Sequence, residues 1–171
     1  MRKIKILGAG SIGNHLANAA RNLDWDVSVC DINTESLERM RTQIYPDRYG
    51  AWDSKIKLYL ADQAPSESYD IIAVGTPPDV HLDVSMRAID ETPKLVLIEK
   101  PLCSPDMNGV TNLIEKANQK KVSLLVGYNH SVGKAAKLAI EKIGSGQLGA
   151  IQTLDVEFRE HWGGIFEAHP W

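Results

Sequence analysis

The sequence predicts a doubly wound α/β fold on a mostly parallel sheet, and three observations carry that expectation. Short runs of Val, Ile and Leu recur along the chain, amphipathic helical patterns alternate with them, and the first run ends in Gly8-Ala9-Gly10-Ser11-Ile12-Gly13. Near-continuous apolar strands separated by helices are what a parallel sheet covered on both faces requires. Composition sets the outer bounds. With 171 residues, 43% hydrophobic and 24% charged, the chain sits at the globular average, which excludes disorder and collagen-like repeats. A net charge of −3 excludes a strongly basic nucleic-acid binder. No apolar stretch approaches the roughly 18 residues a membrane span needs, and Met1-Arg2-Lys3 is not followed by the apolar core of a signal peptide. The expectation is a cytoplasmic protein without membrane or nucleic-acid partners. Cys30 and Cys103 are too few for a disulfide framework and lack the His/Cys spacing of a zinc site, so reduced thiols and no metal site are expected.

Taken in order, Lys3 to Leu7 reads as a strand, and Ile12, Leu16, Ala19/Ala20 and Leu23 then recur at helical spacing. Asp26 to Cys30 is a second strand, followed by a helix that Asn33 or Thr34 caps and that Leu37, Met40 and Ile44 mark. A loop carries Tyr45, Tyr49 and Trp52. Further strands are expected at 57–60, 70–74, 95–98 and 123–126. The helical patterns between and after them are Val80, Val84 and Ala88; Met107, Val110, Ile114 and Ala117; and Val132, Ala136, Ala139 and Ile143. The run Gly144-Ser145-Gly146-Gln147-Leu148-Gly149 breaks this alternation, and 151–158 alternates apolar and polar residues as a half-exposed strand does. The reading is a dinucleotide-binding domain over 1–146 and the beginning of a second, incomplete α/β domain over 147–171.

The glycine-rich turn follows a strand, opens a helix, and is followed by an acidic residue ending the second strand; that context makes it a Rossmann-type fingerprint. Gly8 permits the tight turn, Gly10 lets a pyrophosphate approach the backbone, and Gly13 lets the helix pack close to the strand. Free amides near Ser11 and Ile12, with the helix dipole, supply the anion site. Asp31, 21 residues after Gly10, is placed to accept from both ribose hydroxyls of NAD and to repel a 2′-phosphate. NAD is therefore expected over NADP, with Asn33, Thr34 and Arg39 near where such a phosphate would lie. S-adenosylmethionine is the rival ligand, since its binding folds also use a glycine-rich first turn and an acidic second strand.

Later residues separate the two. Val74-Gly75-Thr76-Pro77-Pro78-Asp79-Val80-His81, Ile98-Glu99-Lys100-Pro101-Leu102 and Val126-Gly127-Tyr128-Asn129-His130 resemble, in order and spacing, the glucose-fructose oxidoreductase, inositol dehydrogenase and rhizopine catabolism (Gfo/Idh/MocA) family. Gln147-Leu148-Gly149-Ala150-Ile151 is similar to that family's passage into its second domain. Glu99-Lys100-Pro101 is the most specific element. The resemblance implies an NAD(P)-dependent oxidoreductase acting by hydride transfer on a sugar, cyclitol or nucleotide sugar.

On that resemblance, Lys100 faces the nicotinamide ribose and the substrate hydroxyl as the catalytic lysine, and the Lys100-Pro101 bond is often cis. Glu99 meets a cofactor ribose. Thr76 and Pro77 lie along the ribose and pyrophosphate. His81 stands on the cofactor side as a structural residue bonded to the neighbouring loop, and Asn129 completes the cofactor set. Tyr128 and His130 are expected on the substrate side, although Ser131-Val132-Gly133 replaces the arginine and aromatic residue that commonly follow. Trp162, with Trp171, His161 and His169, reads either as a sugar-binding wall or as second-domain core. The family's Asp-x-x-x-His motif, which carries its acid/base histidine, has no match before Trp171. The chain is thus expected to bind NAD and to turn over substrate poorly alone, and its second-domain residues raise the expectation of self-association. The competing reading is a free-standing NAD-binding sensor or regulatory module.

Overall fold

The computed structural model describes residues 1–65, 68–157, 159 and 163. The chain forms two compact units, Met1–Tyr128 and Asn129–Trp171. In the first unit the elements are β1 (Lys3–Leu7), α1 (Ser11–Arg21), β2 (Asp26–Asp31), α2 (Thr34–Arg39), α3 (Tyr45–Tyr49), β3 (Lys57–Leu60), β4 (Ile71–Val74), α4 (His81–Asp90), β5 (Leu95–Ile98), α5 (Val110–Lys120) and β6 (Ser123–Val126). All six strands are parallel, in the order β3-β2-β1-β4-β5-β6. Strand order reverses at β1, where Leu7 stands opposite Cys30 on one side and Val74 on the other. This is the doubly wound α/β sheet that the alternation of elements predicts.

Because successive strand residues face opposite sides, the sheet supports two cores. Ile4, Ile6, Val27, Val29 and Ala73 pack with Ala17, Ala20, Leu37, Met40 and Tyr45. Ile72, Val74, Val96 and Ile98 pack with Ala88, Ile89, Leu113 and Ala117. The amino ends of the strands are fastened by charge. The Lys3 amide and the Lys94 ammonium donate to Asp70, Lys57 pairs with Asp26, and the largely buried Lys5 donates to both Glu91 oxygens at 2.9 Å. No helix among the described residues is long and apolar enough to cross a membrane.

Several local expectations are corrected. Residues 45–49 are not loop: the helix begun at Thr34 continues through a π-helical turn at 40–44 into α3. Pro46, which cannot donate a backbone hydrogen bond, follows directly on the π-helical turn, where the helix changes its hydrogen-bond spacing. The buried Tyr45 stacks edge-on against Tyr49 and Trp52. Helix α1 ends at Arg21, leaving Leu23 exposed in the following turn. In α5 the buried position is Leu113 rather than Ile114, and Met107 lies outside the helix at φ +55. Strand β4 starts at Ile71, after Asp70. Of the two cap candidates it is Asn33 that accepts from the Glu35 amide.

The second unit holds a 3₁₀ turn at Asn129–Val132 and α6 (Lys134–Gly144). Residues 151–157 form no strand, and the alternation there is not accompanied by a ladder. Period-two patterning makes no hydrogen bonds by itself; a strand exists only where a neighbour takes its backbone groups.

Cys30 lies buried under the end of β2, and desolvation pushes its thiol up to about 11 against the opposing pull of Lys5. Cys103 is partly exposed. Since the thiolate is the reactive species, a disulfide-exchange reagent at pH 8 is expected to label Cys103 within minutes and Cys30 only on unfolding. Equal labelling of both thiols in the native protein would contradict this burial.

Candidate functional site

Ligands of open parallel sheets bind outside the carboxyl ends of the strands, where strand order reverses. Here that place is bounded by the turn after β1 and the turn after β4, and three stretches of backbone meet in it. Gly8 adopts φ +107, and a Cβ there would lie 2.6 Å from the Gly75 carbonyl oxygen. A Cβ on Gly13 would lie 2.0 Å from the Gly8 carbonyl oxygen, and one on Gly75 would lie 2.6 Å from Ile12 Cγ2. A Cβ on Gly10 would meet nothing within 4 Å. The turn is therefore closed beneath Gly8 and Gly13 and open above Gly10. That is the division of labour an approaching pyrophosphate needs.

Helix α1 begins at Ser11 with no side-chain cap from Gly10 and no acidic residue in its first turn. Its first amides and its positive dipole end thus remain for an anion. The turn is held from both sides. Asn14, fully buried, donates to the carbonyls of Ala9 (3.1 Å) and Gly10 (2.8 Å). Asp31 takes the Ala9 amide on Oδ2 (2.8 Å) and the Asn33 amide on Oδ1 (2.9 Å). Each of those carboxylate oxygens retains acceptor capacity, so Asp31 can bind a diol while bracing the turn. A shallow hollow along α2 and the turn after it is lined by Asn33, Glu35, Ser36, Glu38, Arg39 and Thr42. Arg48, from α3, reaches Ser11: its Nη1 donates to the Ser11 carbonyl and its Nη2 to Ser11 Oγ, both at 2.9 Å.

Thr76 follows β4, and its hydroxyl is buried with no partner among the described residues. An orphaned buried hydroxyl beside an open glycine turn fits a site that expects a polar ligand. Pro77 is exposed at the start of the turn that leads into α4. His81 opens α4 at 1% exposure, with Nδ1 2.7 Å from the Pro101 carbonyl and Nε2 2.7 Å from the Thr76 carbonyl. Both nitrogens face backbone carbonyl oxygens, and the neutral ring, with one N–H, donates to one of them. The ring joins the loop after β4 to the loop after β5, and reaches the site only through them.

Glu99 and Lys100 follow β5, and the Lys100-Pro101 bond is cis. Glu99 Oε2 takes the Lys100 amide at 2.7 Å, while the Lys100 ammonium is exposed and has no hydrogen bond or ion pair among the described residues. A Cβ on Gly127 would lie 3.0 Å from Glu99 Oε1, so that glycine leaves room for the carboxylate. Tyr128 ends the first unit at 60% exposure. Asn129 and His130 stand in the 3₁₀ turn of the second unit. Trp162 lies outside the described residues. The first unit thus gathers Gly8, Gly10, Ser11, Ile12, Gly13, Asp31 and Thr76 around one crevice. Asn14 and Arg48 join them without having been singled out in the sequence. Asn14, four residues after Gly10, carries a helical-spacing signal that was there to be read; Arg48 comes from a separate helix and carries none.

An open sheet reversing at a glycine turn, with a free helix N-terminus above it and a carboxylate ending the next strand, defines a dinucleotide-binding Rossmann domain. The chain belongs to the Gfo/Idh/MocA oxidoreductase family, whose model, described as an oxidoreductase family with an NAD-binding Rossmann fold, matches residues 2–128. With that membership the S-adenosylmethionine alternative is set aside in favour of NAD. No curated protein matches the sequence. Among solved structures, scyllo-inositol dehydrogenase from Lactobacillus casei with bound NAD(H) and scyllo-inositol is similar at a TM-score of 0.69 and 17% identity, over 88% of this chain and 43% of that one. The WlbA dehydrogenase from Bordetella pertussis, in complex with NADH and UDP-GlcNAcA, is similar at 0.64 and 19% identity, over 86% and 43%. A myo-inositol dehydrogenase from Corynebacterium glutamicum is similar at 0.65 and 24% identity, over 88% and 43%. The chain spans less than half the length of these structures.

Proposed function

We propose that this chain is the cofactor half of an NAD-dependent dehydrogenase that oxidises or reduces an alcohol carbon of a sugar, cyclitol or nucleotide sugar. The observation that carries the reading is the crevice itself, open above Gly10 and flanked by Asp31 and the uncapped start of α1. When bound, NAD supplies the hydride acceptor, and the protein supplies binding, orientation and electrostatics. The α1 amides and Ser11 take the pyrophosphate, Asp31 takes the adenosine ribose diol, and Thr76 and Pro77 line the path between the nucleotides. Glu99 accepts from the second ribose. Lys100 Nζ would hydrogen-bond the reacting oxygen, taking the alcohol's proton as the neutral amine in oxidation or giving one from the ammonium in reduction, and His81 keeps the Lys100 loop in register with the Thr76 loop. Tyr128, which ends the first unit, extends the cofactor wall. The remaining pocket and a further acid/base group belong to a second domain, so turnover by these residues alone is slow. A cytoplasmic location accompanies this reading.

The Asp31 carboxylate at the end of β2, which would accept from a ribose diol, repels a 2′-phosphate and favours NAD over NADP. Melting curves test this. Saturation at 100 times the dissociation constant stabilises a fold by about 2.7 kcal/mol, so NAD is expected to raise the midpoint by roughly 5–10 °C, with NADP and S-adenosylmethionine near zero. Asp31→Ala is expected to weaken NAD roughly thirtyfold, because both the diol acceptor and the brace on the Ala9 amide go. A larger shift with NADP than with NAD, or no shift with any dinucleotide, sinks the reading.

A further inference from the structure

Arg48 is placed against the electrostatic preference of its surroundings. A cation beside the positive end of a helix is unfavourable, and the same end favours an anion. Yet the Arg48 guanidinium sits on Ser11, the first residue of α1, and pairs with no carboxylate among the described residues. The placement is built in. Tyr45 anchors α3 in the core, the Tyr49 hydroxyl meets His15 Nδ1 on α1, and Arg48 Nη1 lies 3.3 Å from His15 Nε2. A guanidinium only donates, so His15 Nε2 is the acceptor there, and in the neutral ring the proton sits on Nδ1 toward Tyr49. Histidine, tyrosine and arginine thus clamp α3 to the first two turns of α1.

The contact also sets what the Ser11 hydroxyl can do. A hydroxyl has one proton and two acceptor positions. Arg48 Nη2 occupies an acceptor position and offers nothing to receive the proton, and Ser11 donates to no other described group. The proton is therefore left for a ligand, on an oxygen polarised by a full positive charge.

We propose that Arg48 is a positioning residue for the dinucleotide pyrophosphate, holding the Ser11 hydroxyl as a donor and adding a cation to the start of α1. This rests on the NAD reading above. It makes phosphate binding depend on α3, an element outside the glycine fingerprint.

The test is titration calorimetry of the chain with NADH, and with adenosine as a phosphate-free competitor, at low and high salt. Arg48→Met is expected to weaken NADH about tenfold and adenosine less than about twofold. Arg48→Lys, which keeps the charge and loses the fork, is expected to weaken NADH about threefold. The salt dependence of NADH affinity should flatten in Arg48→Met and persist in Arg48→Lys. In the Ser11→Ala background the loss on removing Arg48 should shrink, because one of its two routes to the phosphate is gone. Equal losses for NADH and adenosine would show that Arg48 merely holds α3 in place, and unchanged NADH affinity in both variants would also overturn the proposal. Absence of NADH binding by the unaltered chain would instead overturn the NAD reading, and Arg48 with it.

Discussion

Gly13→Ala is expected to unfold the domain roughly 6–12 °C below the parent, while Gly10→Ala melts like the parent and fails to bind NAD. The contrast follows from two glycines three residues apart. At Gly13 an added methyl has the Gly8 carbonyl oxygen at 2.0 Å, the Gly8 carbonyl carbon at 3.1 Å and Ile6 at 3.7 Å. None of these is the tip of a flexible side chain. Relief requires α1 to move off β1, and β1 is the central strand on which both cores meet. Overpacking of that kind costs about 3 kcal/mol or more, and a domain of this size loses roughly 2–4 °C for each kcal/mol. At Gly10 the backbone is extended at φ −74, an ordinary conformation for any residue, and the added methyl meets no protein atom. It fills the space proposed above for the pyrophosphate, so a loss of about a hundredfold in NAD affinity is expected with an unchanged melting midpoint. Calorimetric melting and NAD titration of the two variants check both halves. A Gly13→Ala protein that melts like the parent would falsify the close approach of helix to strand.

Lys100→Met is expected to lower turnover by two to four orders of magnitude in a protein that pairs this domain with a substrate-binding half, the range typical of a positioned proton carrier. NADH affinity should change less than about threefold. The separation is expected because the Lys100 ammonium has no partner among the described residues, so its removal costs the fold nothing, while the Lys100 amide keeps its bond to Glu99. Single-turnover measurement of NADH formation, with NADH titration alongside, distinguishes this outcome from damage to the cofactor site. A variant that loses NADH affinity in proportion to its turnover would make Lys100 a cofactor ligand rather than a proton carrier.

Much of the fold was legible because its signals are local. Apolar runs of four or five residues, the glycine turn and the Asn33 cap each act within a few residues of themselves, and they stand where the sequence reads them. The crevice was legible for the same reason: Gly8, Gly10, Gly13 and Asp31 belong to one βαβ unit. What escaped depends on tertiary packing. The extension of the second helix to Tyr49 passes through Pro46, which reads as a breaker until the π-helical turn before it is known. Tyr45 then makes that stretch part of the core. In α5 a slip of one residue in phase separates Leu113 from Ile114, a choice that only the facing β5 and α4 side chains decide. Arg48 meets Ser11 across 37 residues, and no spacing rule reports a contact between two helices. Residues 151–157 show the converse, an alternating pattern that pairs with no strand among the described residues.

Because all six strands point the same way, the two rims of the sheet can change at different rates. The amino rim is riveted by Lys3 and Lys94 on Asp70, Lys57 on Asp26 and Lys5 on Glu91. None of these groups faces the crevice at the opposite rim. Strand register is thereby secured away from the crevice, and loops at the carboxyl rim are free to be exchanged, lengthened or retuned. For engineering, the amino-rim pairs mark the part of the scaffold to leave alone, and the turns after β4 and β5 mark the part to diversify.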